Sequence, residues 1–306
     1  MLRTVILAAS RSKGLERLVE TGPVTRGLVR RFVAGTTSAD ALRATRELIG
    51  DGMTVSLDHL GEDTITPEQA ELTRQAYLEV LNALGRQGLT PATEVSVKLS
   101  ALGQRFDERL AYEHARAICQ AAANAHTTVT LDMEDHTTTD STLDILSKLR
   151  KDFPSTGAVL QAYLRRTEAD CRDLAHAGSR VRLCKGAYAE PESVAYQARL
   201  DIDRSYVRCA NILLAGDGYP MFATHDARLI AIVEERALWY ERTKDSFEYQ
   251  MLYGVRPDEQ RRLAWAGHRM RVYVPYGTEW YGYLVRRLAE RPANLVFFLR
   301  AIASRS

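Results

Sequence analysis

Lys98, Asp132, Gln161, Arg182, His225 and Tyr273 are the residues whose types and positions could do chemistry together. Each lies in a short β-rich run: EVSVKLS from Glu94, TVTLDM from Thr128, AVLQAYL from Ala158, RVRLCKG from Arg180, MFATH from Met221 and RVYVPYG from Arg271. Successive side chains of a strand point to opposite faces. Val95, Val97 and Leu99 therefore oppose Ser96 and Lys98; Val129, Leu131 and Met133 oppose Thr130 and Asp132; Leu160 and Ala162 oppose Gln161. Likewise Val181 and Leu183 oppose Arg182 and Cys184, and Val272 and Val274 oppose Arg271 and Tyr273. A polar set on one buried face is costly without a ligand or dense mutual pairing.

Taken singly, these residues leave alternatives open. Lys98 could be a Schiff-base nucleophile, a carboxylate binder or a structural partner of Asp132. Asp132 opens DMEDH, whose acids and histidine suggest a metal, but strand alternation lets only some of them converge. The expectation is no metal, with Asp132 holding Lys98 and Tyr273. His225 in FATHD could be a general base, a donor to a cofactor or a satisfied core histidine. Gln161 needs partners for its amide, which the edge of a heterocycle would supply. Arg182 must meet an anion or a polar π system. Lys185 and Gly186, at the exit of the same strand, could meet a phosphate through an ammonium and bare backbone donors, with Thr224 and His225 adding to them.

The elements that must position these residues follow from periodicity. Two further β-rich runs, MTVSLDHL from Met53 and EYQMLYG from Glu248, bring the number to eight. Amphipathic stretches alternate with them, among them 67–87, 107–124, 193–214 and 226–241. Eight alternations argue for a parallel (β/α)8 barrel, the TIM architecture, with chemistry at the carboxyl ends of its strands. An open doubly wound sheet would place a glycine-rich turn after the first strand, and DHLGED is not one. Residues 1–50, punctuated by TGP and GTTS, read as an N-terminal helical arm and 51–306 as the barrel. After the eighth strand comes YLVRRLAE, in which Tyr283, Arg286, Arg287 and Glu290 share one helical face. That helix leaves the carboxyl rim. Two arginines above a chamber holding Lys98 would clamp a small carboxylate, with tyrosines as walls.

Composition narrows the classes. Over 306 residues, 41 basic against 39 acidic side chains give a net charge of +2, which asks for no nucleic acid. Cys119, Cys171, Cys184 and Cys209 lack ligand-like spacing and read as reduced thiols in a cytosolic protein. MLRTVILAAS is too weak for a signal peptide and too short for a span. LVFFL, Leu295 to Leu299, could dock on the body or touch a membrane, and docking is the expected fate of one short apolar element.

With these residues in view, VSVKLSAL, LDMED, VLQAYLRR, VRLCKGAY, FATHD, FEYQMLYG and VYVPYG...YLVRRLAE resemble proline dehydrogenase, in order and at suitable spacing from about Met53 onward. The likeness is to the short monofunctional bacterial enzymes. It implies a distorted barrel holding FAD non-covalently at its carboxyl end, with extra N-terminal helices and the eighth helix over the mouth. By matched position, Lys98, Arg286 and Arg287 would bind the carboxylate of L-proline, and Tyr188, Leu252, Tyr273 and Tyr283 would enclose its ring. Arg182 would sit by the flavin N5 and Gln161 by its pyrimidine edge. The run Cys184, Lys185, Gly186 and Ala187, together with Thr224, His225 and Glu290, would line the rest of the cofactor. Glu62 would gate the site with Arg286. Cys184 stands where the family often has a branched apolar residue, and Asp226 where it often has asparagine. The resemblance also implies a quinone or other electron acceptor and a peripheral contact at the inner face of the cell membrane. A Schiff-base lyase or aldolase and an amino-acid binder without turnover are the alternatives.

Overall fold

The computed structural model describes residues 23–61 and 64–284. Eight parallel strands run β1 Thr54–His59, β2 Thr93–Lys98, β3 Val129–Asp132, β4 Ala158–Gln161, β5 Arg180–Cys184, β6 Tyr219–Ala223, β7 Glu248–Leu252 and β8 Arg269–Tyr276. Their order in the sheet is β3-β2-β1-β8-β7-β6-β5-β4. The remaining seam is closed at Gly157, whose carbonyl accepts from Leu131 N at 2.9 Å and whose N–H donates to Val129 O at 2.8 Å. A Cβ at Gly157 would lie 2.6 Å from Thr130 Oγ1, so the seam closes this tightly because the residue has none. The chain is thus a nearly closed (β/α)8 barrel.

Helices α1 Pro23–Phe32 and α2 Ser38–Gly50 precede β1; α3 Pro67–Arg86, α4 Glu108–Asn124, α5 Thr139–Leu149, α6 Thr167–Leu174, α7 Arg199–Ala215, α8 Ala227–Trp239 and α9 Pro257–Trp265 alternate with the strands. Local sequence explains several starts. Thr37 with Asp40, and Thr66 with Gln69, form capping boxes for α2 and α3, and Pro67 adds a residue suited to the first turn. Asp107 caps α4 and Asp226 caps α8 through their side chains. The helix predicted from Ser193 begins instead at Arg199. Before it, Arg165 N donates to Val194 O and Tyr196 N to Tyr163 O, so pairing with the β4 exit holds this backbone out of the helix.

The apolar strand residues face outward. Val55, Leu57, Val95, Val97, Leu131, Leu160, Leu183, Phe222, Val272 and Val274 pack with the helices in one ring-shaped core. The wall between β8 and β1 is covered by α2, which packs on both strands. In a regular barrel the helix following β8 would stand there. The link before α2 is tied down as well, Ala34 N donating to Pro275 O at 3.0 Å. Among the described residues no helix is long and apolar enough to cross a membrane.

Candidate active site

With the oily faces outward, the barrel axis receives the polar ones. At the floor, Glu94 of β2 accepts from Arg180 at 2.7 Å and from Ser56 Oγ at 2.7 Å. Glu248 of β7 binds Arg271 of β8 at 2.7 Å. Burial alone would raise the Glu94 carboxyl, but Arg180, Arg271 and Arg182 outweigh it and hold the group well below the usual carboxylate range.

One layer higher, Arg182 is 4% exposed. Its Nη1 donates to Asp132 Oδ1 at 2.6 Å and to Ser96 Oγ at 2.9 Å, and its Nε donates to Gln250 Oε1. Its guanidinium carbon lies 5.4 Å from the centre of the Tyr273 ring. The expected anion and π system are both there.

At the top, register sets Lys98 beside Asp132 and Leu252 beside Tyr273. Tyr273 donates its hydroxyl proton to Asp132 Oδ2 at 2.6 Å. Lys98 Nζ lies 3.7 Å from the same oxygen and donates to Tyr273 Oη at 3.3 Å, but its shortest contact among the described residues is Asp58 Oδ2 at 2.7 Å. Asp132 therefore joins Lys98 and Tyr273 as expected and Arg182 besides, while the nearest partner of Lys98 among the described residues is one that sequence reasoning missed. Burial, then the Asp132 and Asp58 charges, push the Tyr273 hydroxyl well above its ordinary value. Gln161 donates from Nε2 to Glu134 O at 2.7 Å. Asp58, Glu94, Glu248 and Gln250 were also overlooked. Glu94 shares the parity of Lys98 in its own run, Glu248 and Gln250 alternate with the apolar Tyr249 and Met251, and Asp58 follows the apolar Leu57, which was the available signal.

At the rim, burial pushes the Cys184 thiol up to about 11. Lys185 Nζ sits 2.5 Å from Asp203 and 3.2 Å from Asp226, and Arg228 is 3.0 Å from each of the same carboxylates. Hydrogen bonding from Arg228, joined by Lys185, holds Asp226 well below its usual range. Gly186 has φ +104°, and a Cβ there would lie 2.2 Å from the Tyr163 ring. Ala187 is exposed and Tyr188 half-buried. Thr224 Oγ1 accepts from Asp226 N at 3.1 Å. His225 Nε2 accepts the Leu252 backbone N–H at 2.9 Å, so this nitrogen ties β6 to β7 and carries no proton in that bond.

The DMEDH residues diverge. Asp132 meets Arg182, Glu134 accepts from Ser100, Asp135 accepts from Thr137, and His136 contacts Glu190. Among the described residues no group of three or more such side chains could hold a metal ion. Tyr283 is buried in the short helical stretch 280–284. Glu62, Arg286, Arg287 and Glu290, and the LVFFL segment, lie outside the described residues.

A family model described as proline dehydrogenase matches residues 41–300. The chain is 37% identical to proline dehydrogenase 1 of Bacillus subtilis, over 99% of both chains. It is 40% identical to the proline dehydrogenase of Deinococcus radiodurans, over 90% of both. Among solved structures, proline utilization A from Bdellovibrio bacteriovorus inactivated by N-propargylglycine superposes with a TM-score of 0.81 and 27% identity, over 87% of this chain and 33% of that longer one. Sequence, fold and the polar barrel mouth agree: the chain belongs to the proline dehydrogenase family.

Proposed function

We propose that this protein oxidises L-proline to Δ1-pyrroline-5-carboxylate, with FAD held at the carboxyl end of the barrel. The observation that carries the reading is the linked set Lys98, Asp132, Arg182 and Tyr273 at the strand ends of a chain of this family. The residues fit a flavin. Gln161 brings its amide to the end of β4 and Arg182 its guanidinium one layer below on β5, and the turn at Gly186 approaches the rim so closely that a side chain would collide with Tyr163. Lys185, Thr224 and the 184–187 backbone would serve the phosphate and ribityl parts. Lys185 and Arg228 each pair with Asp203 and Asp226, so a phosphate held by these cations would compete with two carboxylates.

When bound, the flavin supplies a two-electron acceptor for the hydride leaving the proline ring carbon next to nitrogen. The chain's part is orientation and electrostatics. Lys98, with Arg286 and Arg287, would hold the substrate carboxylate, while Tyr188, Leu252, Tyr273 and Tyr283 enclose the ring. The proline ammonium must give up its proton before hydride departs, and a cationic chamber favours that loss. Asp132 fixes Arg182 and the Tyr273 hydroxyl around that space. A quinone as final acceptor, with a peripheral membrane contact to reach it, completes the reading. A Schiff-base role for Lys98 is disfavoured because the Asp58 carboxylate 2.7 Å away favours a charged ammonium, which can hold a carboxylate but cannot attack a carbonyl as a free amine would.

The test is the visible spectrum of the purified protein. Flavin bands should bleach anaerobically on adding L-proline, and N-propargylglycine should inactivate the protein as it does the Bdellovibrio relative. A flavin spectrum unmoved by L-proline would refute the assignment.

A further inference from the structure

Arg182 is surrounded by groups that could turn its guanidinium in several ways, and the one that receives its Nε–H is neutral. Gln250, two residues below Leu252 on the inward face of β7, receives the Arg182 Nε–H on its Oε1. A glutamine amide can present either its oxygen or its nitrogen. Here the choice is made from below, because Gln250 Nε2 donates to Glu248 Oε1 at 2.6 Å. Glu248 is itself fixed by Arg271, which donates from Nε at 2.7 Å and from Nη2 at 3.2 Å. A buried chain of hydrogen bonds thus runs from the floor of the barrel through Gln250 to Arg182 and on to Asp132. Gln250 is 3% exposed.

Charge makes the neutral link consequential. Asp132 lies 2.6 Å from Arg182 and 3.7 Å from Lys98, so its single charge is divided between two cations. Glu94, the other carboxylate near Arg182, is 3.5 Å away and closer to Arg180. A carboxylate at position 250 would complete the neutralisation of Arg182. An aliphatic side chain would leave its Nε–H unpaired and the guanidinium held only through Nη1 and Nη2.

We propose that Gln250 is a positioning residue for the oxidation: an uncharged acceptor that locks the Arg182 guanidinium towards Asp132 without quenching its charge. The inference rests on the functional reading above. It requires Arg182 to raise the electron affinity of the bound flavin by its positive field, which is strong in a dry interior.

The experiment uses the flavin-loaded protein with Gln250→Leu and Gln250→Glu. Two readouts are the Arg182 Nε–H resonance and the midpoint potential of the flavin. In Gln250→Leu the slowly exchanging resonance should be lost, and the flavin reduction equilibrium should weaken about tenfold, which is ~30 mV more negative for a two-electron couple. Turnover should fall by about tenfold with KM for proline changed less than about threefold, because the substrate-carboxylate binders are untouched. Gln250→Glu keeps an acceptor oxygen for Arg182, so the resonance should persist. Its other oxygen is set against Glu248, where the amide nitrogen now donates at 2.6 Å; above the pH at which this carboxyl pair gives up its shared proton, the added negative charge should lower the potential. A merely structural glutamine would lower the melting temperature and leave the potential where it was. That outcome in Gln250→Leu, or in Gln250→Glu should the leucine variant not fold, overturns the proposal. Failure of the functional reading would appear earlier, as an unsubstituted protein whose flavin does not respond to proline.

Discussion

Asp132 shows how much one side chain can be asked to hold. It receives hydrogen bonds from Ser96, Arg182 and Tyr273 and lies within ion-pair reach of Lys98. Asp132→Asn leaves two cations short of a carboxylate and offers Tyr273 a poorer acceptor. Breaking a buried pair in this way costs about 3–5 kcal/mol. Denaturant unfolding should register a loss of that order, and proline-dependent flavin reduction should slow by about a hundredfold; near-normal reduction in a folded Asp132→Asn protein would remove Asp132 from the site. Alternation along each run was enough to gather Lys98, Asp132, Arg182 and Tyr273 on one side. It could not pair them. Parity states a side chain's face, whereas partners depend on the register between strands, and that is why Asp58 and Gln250 went unnoticed beside visible neighbours.

For the elements, the alternation of eight strands with helices was legible because each β-rich run carries outward-facing apolar residues and several helices open on capping residues. The start of α7 was not legible, since an amphipathic pattern continues upstream into residues whose backbone pairs with the β4 exit. Nor does periodicity reveal where α1 docks. That contact depends on Gly254, which has φ +71° just past β7 and where a Cβ would lie 1.7 Å from Arg31 O. Gly254→Ala combines left-handed backbone strain with a backbone collision. A loss of at least 2 kcal/mol is expected, lowering the melting temperature by about 4 °C or more. An unchanged melt would mean that α1 is not held at that point.

Over the molecule, and among the described residues, four interior cations, Lys98, Arg180, Arg182 and Arg271, meet four carboxylates, Asp58, Glu94, Asp132 and Glu248. The balance explains how a polar lining can persist where barrels are usually filled with branched apolar residues. Titration should betray other buried groups first. Burial depresses His59, His114 and His268 below the ordinary histidine value. Below about pH 6.5 the unfolded chain binds protons that the fold resists, so stability falls with falling pH until each histidine's folded-state value is passed. Melting temperature should therefore drop between pH 7.5 and 5.5. A flat or rising profile over that window would contradict the burial of these rings.

The placement of α2 carries a further implication. Since a helix drawn from ahead of the first strand already shields the β8–β1 side, the chain after Tyr276 has no obligation to act as masonry. Its sequence can answer to ligand choice instead, and relatives with altered amino-acid preference should differ there before they differ in the wall.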